Sequence, residues 1–104
     1  MQYSAKYHSG EFSIKFDDCE LTIEEPSSFL KNFKKLYHNI KNGVDSDDTV
    51  ETCHQDSYWS FSTKQGYLYI ECVCNCVLSR FTIVKKYERE EGMKFVEEII
   101  RGIV

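Results

Sequence analysis

The side chains best equipped for chemistry in this chain are its thiols and imidazoles. Cys72, Cys74 and Cys76 alternate along one stretch, and Cys19, Cys53, His54, His8 and His38 add further donors for a soft metal. On an extended strand, with a rise of ~3.3 Å per residue, alternate thiols project from one face at intervals of roughly 7 Å. Structural zinc sites more often gather sulfurs from tight knuckles, in which a turn brings two cysteines into one tetrahedron. Leu68 and Ile70 share the parity of the three cysteines, and a free cysteine behaves as a small hydrophobe that is commonly buried. The spacing predicts core packing. The alternative is a metal- or thiol-dependent protein that uses Cys72, Cys74 and Cys76.

Other catalytic arrangements are weaker. A nucleophile needs a base within reach and a third group to orient that base. Cys53 and His54 are adjacent, with Asp56 nearby, but neighbours on a strand face opposite ways, so the run reads as a polar segment entering a strand. The pairs Asp17-Asp18, Glu24-Glu25 and Glu97-Glu98 diverge for the same reason and read as solvated charge. The glycines are isolated, so no phosphate-cradling loop is present. These observations imply a protein that is not an enzyme, with no catalytic residue, metal or cofactor.

Two surfaces are better suited to contact with another protein. Tyr58, Tyr67 and Tyr69 alternate with core-type residues and are interspersed with Ser60, Ser62 and Glu71. Tyrosine supplies rigid contact area with a hydrogen-bonding tip. The second surface is the polar, acidic stretch from Asn42 to Val50, expected as an exposed loop presenting Asp45, Asp47 and Asp48. The expected partner-binding residues are thus Tyr58, Tyr67, Tyr69, Glu71, Asp45, Asp47 and Asp48.

Whether the tyrosines form one face depends on how the flanking strands pair. A two-residue turn at Gln65-Gly66 sets Phe61 opposite Ile70 and Trp59 opposite Cys72. Trp59, Phe61, Leu68, Ile70, Cys72, Cys74 and Cys76 then share one face, and Tyr58, Ser60, Ser62, Tyr67, Tyr69, Glu71 and Val73 the other. A three-residue loop would mix the faces, because slipping by one residue flips the apolar set of a strand. Burial selects the two-residue turn.

The remaining elements follow from periodicity. Phe12, Ile14 and Phe16 alternate with polar residues, as do Leu21 and Ile23, predicting a hairpin across Asp17-Asp18. A strand over Tyr3 to Tyr7 is expected before it, turning at Ser9-Gly10. Pro26-Ser27-Ser28 opens a helix in which a serine hydroxyl is expected to cap the first turn. Phe29, Leu30, Phe33, Leu36, Tyr37 and Ile40 form its apolar stripe, and Gly43 ends it. Its Lys31, Lys34, Lys35 and Lys41 read as a solvated face. A late strand carries Phe81 and Ile83 inward. A final helix from about Glu90 to Ile103 buries Met93, Val96, Ile99, Ile100 and Ile103, with Glu88, Glu90 and Glu91 near its positive end. The order predicts an α+β protein: an antiparallel sheet of about five or six strands with two helices packed mainly on one face.

At 104 residues, 41% hydrophobic and 14% aromatic, residues 1–104 suffice for a single α+β domain with a real core. A net charge of −4 argues against direct nucleic-acid binding. No run is long and apolar enough to span a membrane. The first ten residues lack a secretory pattern, and an odd number of cysteines makes a disulfide framework a poor fit. A cytoplasmic location is expected.

The opening strands, the run Ser28-Phe29-Leu30-Lys31-Asn32-Phe33-Lys34-Lys35-Leu36, the Trp59-Ser60-Phe61 strand, and Gly66-Tyr67-Leu68-Tyr69-Ile70 before a last strand and helix occur in a suggestive order. That order resembles small bacterial immunity proteins of polymorphic toxin systems, above all the immunity family associated with wall-bound contact-dependent toxins. Small phage-encoded inhibitors of bacterial defence are similar in size and acidity. Either resemblance implies a non-enzymatic inhibitor that occludes a protein partner, whether toxin or defence effector.

Overall fold

The computed structural model describes residues 3–8, 10–16, 19–54, 57–75 and 80–104, without the side chains of His54, Asn75 and Phe81. Strands β1 (Tyr3–His8), β2 (Glu11–Phe16) and β3 (Glu20–Glu24) form one antiparallel sheet in that order. A 3-10 turn, Pro26–Phe29, leads into helix α1, Leu30–Asn42. Strands β4 (Ser46–His54), β5 (Ser57–Lys64), β6 (Tyr67–Asn75) and β7 (Arg80–Tyr87) form a second antiparallel sheet, and helix α2 (Arg89–Ile103) follows. No helix among the described residues is long and apolar enough to cross a membrane.

The α+β class and both helices match the sequence-based reading, but in place of the expected five or six strands the described residues form seven, divided between two sheets. The additional strand is β4, which lies where a loop was expected. Its opening residues, Ser46 to Thr49, are all polar, so no alternation announces it. Partly buried side-chain hydrogen bonds hold its start instead. The Asn39 amide donates to Ser46 Oγ at 3.1 Å, Ser46 Oγ lies 2.9 Å from Thr63 Oγ1 and 2.7 Å from Thr49 Oγ1, and Thr63 Oγ1 donates to the Val44 carbonyl at 2.7 Å. Asn39 and Thr63 are buried, and buried polar groups without partners would be costly. Strands β3 and β4 approach within 8 Å between Cα atoms, yet no hydrogen-bonded ladder joins the sheets among the described residues.

Each sheet buries one face, and both contribute to one core. Phe12, Ile14, Phe16, Leu21 and Ile23 come from the first sheet, and Val50, Trp59, Phe61, Leu68, Ile70 and Cys72 from the second. Helix α1 adds Phe33, Leu36 and Ile40, and α2 adds Phe95, Val96 and Ile99. Met93, Ile100 and Ile103, expected on the buried stripe of α2, are half-buried at its margin. Phe95, not expected there, is fully buried, with ring centroids 4.8 Å from Tyr3, 6.0 Å from Phe16, 6.4 Å from Phe61 and 6.1 Å from Tyr87. Glycine makes this close approach of α2 attainable. A Cβ on Gly92 would lie 3.0 Å from Leu68 Cβ, and one on Gly102 would collide with the Phe12 ring.

The ends of α1 divide the expectations. Gly43 closes the helix in the left-handed region at φ 66°, with Gly43 N–H donating to the Ile40 carbonyl at 3.3 Å and Val44 N–H to that of Asn39 at 2.9 Å. Neither serine caps its start. Ser28 Oγ donates to the Glu25 carbonyl at 2.8 Å, because a 3-10 turn intervenes and α1 begins only at Leu30. Ser9, Asp17 and Asp18, expected in turns, lie outside the described residues.

Candidate protein-binding face

The β5–β6 hairpin adopts the register selected by burial. Phe61 pairs with Ile70, Trp59 with Cys72 and Ser62 with Tyr69. Gln65 and Gly66 occupy the turn with φ of 54° and 84°, positive at both central residues as the twist of a two-residue hairpin demands. Trp59, Phe61, Leu68 and Ile70 are buried in the core, with Trp59 stacked on Phe16 of the first sheet. Tyr58, Tyr67, Tyr69 and Glu71 fall on the opposite face: Tyr58 and Glu71 are exposed, and Tyr67 and Tyr69 are half-buried.

Strand β7 extends that face. Tyr69 pairs with Lys86, and Glu71 with Val84. The Lys86 ammonium lies 4.3 Å from the Tyr67 ring centroid and 5.7 Å from that of Tyr69. The cation sits against aromatic faces whose quadrupole attracts it. Val84 is 57% exposed, an apolar contact point beside Glu71. Sequence reasoning missed both residues, although Thr82, Val84 and Lys86 continue the alternation beyond Ile83. Ile83 packs at the core margin, whereas the side chain of Phe81, expected inward, lies outside the described residues.

Strand β4 brings the acidic residues to the same face. Asp45 precedes the strand, and its Oδ1 accepts the Gln65 N–H at 2.8 Å, tying it to the hairpin turn. Asp47 and Asp48 lie within the strand, at an irregularity between Ser46 and Val50, and Asp48 is left-handed at φ 46°. Bulges of this kind re-aim side chains. All three aspartates are exposed. Asp45, Asp47, Ser62, Tyr69, Glu71 and Val84 line one shallow depression of about 450 Å³. Tyr58 donates a hydrogen bond to Glu51, and that bond, with the nearby charges of Glu51 and Asp48, raises its pKa above the usual tyrosine value. The structure thus gathers the expected tyrosines and acids on one side of the second sheet, with Glu51, Val84 and Lys86 as additions.

Cys72 and Cys74 separate from this face, whereas Cys53 lies on it. Cys72 is buried and Cys74 half-buried, and their sulfurs lie 3.4 Å apart because the side chains lean together along the strand. Ser57 Oγ donates weakly to Cys74 Sγ at 3.8 Å. Burial, then contact with Cys74, pushes the Cys72 thiol up to about 12, which keeps it protonated and a poor nucleophile at neutral pH. Cys53 pairs with Tyr58 on the outer side. Cys76, Asp56 and the His54 side chain lie outside the described residues. Among the described residues, no three His, Cys, Asp or Glu groups converge as they would around a metal ion. His8 and His38 are exposed, and His38 accepts from the Asn42 amide through its carbonyl at 2.9 Å. Lys31, Lys34, Lys35 and Lys41 are all exposed on α1. Neither a protein-family model nor a curated protein matches this chain.

Proposed function

We propose that this chain is a non-enzymatic, protein-binding inhibitor of the immunity-protein kind, acting by occluding a partner with the outer face of its second sheet. One observation carries the reading: Asp45 and Asp47 line the same depression as Tyr69, Glu71 and Val84. An interface needs rigid aromatic area at its centre and polar groups around it, and this face supplies both. Asp45, Asp47, Asp48, Glu51 and Glu71 stand against Lys64 and Lys86 there, so the complementary partner surface is basic. A nuclease cleft shaped for nucleic-acid phosphate is such a surface, whether in a toxin or a defence effector, and carboxylates can stand in for phosphate within it. The resemblance in element order to toxin immunity proteins points the same way.

The test is co-purification of the tagged chain from its own host, beside two variants, Tyr67→Ser/Tyr69→Ser and Asp45→Ser/Asp47→Ser/Asp48→Ser. A partner retained by the native chain and lost by both folded variants supports the reading. A partner held equally well by all three places the interface elsewhere. An adjacent toxin gene would support the immunity role.

A further inference from the structure

The outermost strands are not equally protected against a new neighbour. A free strand edge offers unpaired N–H and C=O groups, and proteins blunt such edges with bulges, prolines or inward-pointing charge. Strand β4 lies beside β3. Strand β7 carries Lys85 opposite the buried Ile70, with its ammonium 6.0 Å from the Phe16 ring centroid, so a charge points inward there. Strand β1 has no bulge, proline or inward-pointing charge, and its one blunting residue is Lys6. Its pairing with β2 runs unbroken from Tyr3↔Phe16 to His8↔Glu11, it contains no proline, and its charged Lys6 does not share the face of Tyr3, Ala5 and Tyr7.

That face is only partly covered: Tyr3 packs against Phe95 of α2, and Ala5 and Tyr7 do not reach the core. Tyr3, Ala5 and Tyr7 pair with Phe16, Ile14 and Phe12, all three of which are buried. Yet Ala5 is exposed and Tyr7 is 56% exposed. Helix α2 sits tightly on Phe12 through Gly102. The result is a groove of about 650 Å³ between β1 and α2, floored by Tyr3, Ala5, Tyr7 and Phe12. Along the helix side run Glu91, Lys94 and Glu98, a rim of net negative charge.

We propose that β1 receives an extended peptide segment as a fourth strand of the first sheet, with apolar inner-face side chains in this groove and a lysine or arginine directed to Glu98. A strand added ~4.8 Å beyond β1 turns every second side chain toward α2. The small Ala5 methyl leaves room at the centre of the groove, and the flanking tyrosines supply apolar walls. Glu98 already accepts the Tyr3 hydroxyl, and a carboxylate keeps further lone pairs for an incoming cation. An acidic segment would meet like charge. This site is separate from the outer face of the second sheet, and the proposal stands independently of that reading.

The experiment pans a phage-displayed library of random dodecapeptides on the immobilised full chain, with Ala5→Lys as counter-selection. Ala5 is exposed, so the added charge enters the groove without disturbing the core. Enriched peptides are expected to alternate apolar and polar residues, to carry lysine or arginine, and to bind Ala5→Lys at least about tenfold more weakly. Methylating the edge-facing backbone amides of such a peptide should abolish binding. In amide NMR of the native chain, Ser4 to His8 should gain exchange protection, and Glu91 to Gly102 should shift. Four outcomes overturn the proposal: no enrichment over the counter-selected chain, tolerance of backbone methylation, shifts confined to the outer face around Tyr58 and Tyr69, or protection of β1 that follows protein concentration without peptide, which would make the occupant a second copy.

Discussion

Trp59 and Tyr69 show how differently neighbouring aromatic residues are used here. Trp59 is 1% exposed and stacks on Phe16 at 5.9 Å between centroids, and Phe95 is wholly enclosed. Replacing either with alanine is expected to cost about 3–5 kcal/mol, the range for a large buried aromatic. Tyr67→Ser and Tyr69→Ser should cost much less, because those rings are only half-buried. Urea unfolding of the four variants checks the ranking, and the reverse order would place the tyrosines in the core. Cys72 supplies a pH signature. Its folded pKa of about 12 exceeds the ~8.5 of a free thiol, so its contribution is intact below pH ~8.5. Above that, the unfolded chain loses its proton first, and stability falls as pH rises toward the folded value. Tyr3, raised by burial and by its hydrogen bond to Glu98, adds a loss that begins nearer pH 10. Cys72→Ala should therefore lose less stability than the native chain between pH 8 and about 10. Parallel declines in denaturation midpoint would remove Cys72 as the cause.

Among the elements, the β5–β6 hairpin carries its register in its own sequence, whereas β4 does not. Gln65 occupies a positive φ that most side chains resist, in a turn where asparagine followed by glycine is preferred. Gln65→Asn is expected to raise stability by about 0.5–1 kcal/mol. Thermal melts will show it, and a lowered midpoint would mean that the glutamine side chain itself holds the turn. Strand β4 was hidden because the side chains that hold its start belong to other elements: Asn39 on α1 and Thr63 on β5. Asp45 was legible as an exposed acid but not as the acceptor for the Gln65 N–H.

For the whole molecule, a net charge of −4 is less informative than where the charge lies. Lysines crowd the exposed side of α1, while Asp45, Asp47, Asp48, Glu51 and Glu71 occupy one face of the second sheet. If the proposed function holds, that field would steer a basic partner from a distance, so the triple aspartate-to-serine variant should associate more slowly, with little change in dissociation. Stopped-flow association at low and at high salt separates the two effects. An on-rate that ignores both mutation and salt would remove the aspartates from the interface. The variant itself should fold, because exposed positions have little packing to lose, although Asp45→Ser gives up the bond to the hairpin turn.

The sequence by itself determined what local periodicity and turn chemistry control. Alternation in Phe12, Ile14 and Phe16 and in Leu21 and Ile23 set their buried faces. Gly43 set the end of α1, and Gln65-Gly66 with flanking apolar residues set the hairpin and hence the tyrosine face. Each of these depends on residues within a few positions of one another. Tertiary structure decided the rest. It divided seven strands into two sheets, made a strand of the acidic stretch through side-chain hydrogen bonds from α1 and β5, and seated Phe95 at the meeting point of both sheets. It also placed Asp45 and Asp47 beside Tyr69 and left the inner face of β1 partly open. Such outcomes depend on partners far apart along the chain, and no spacing within a single segment encodes them.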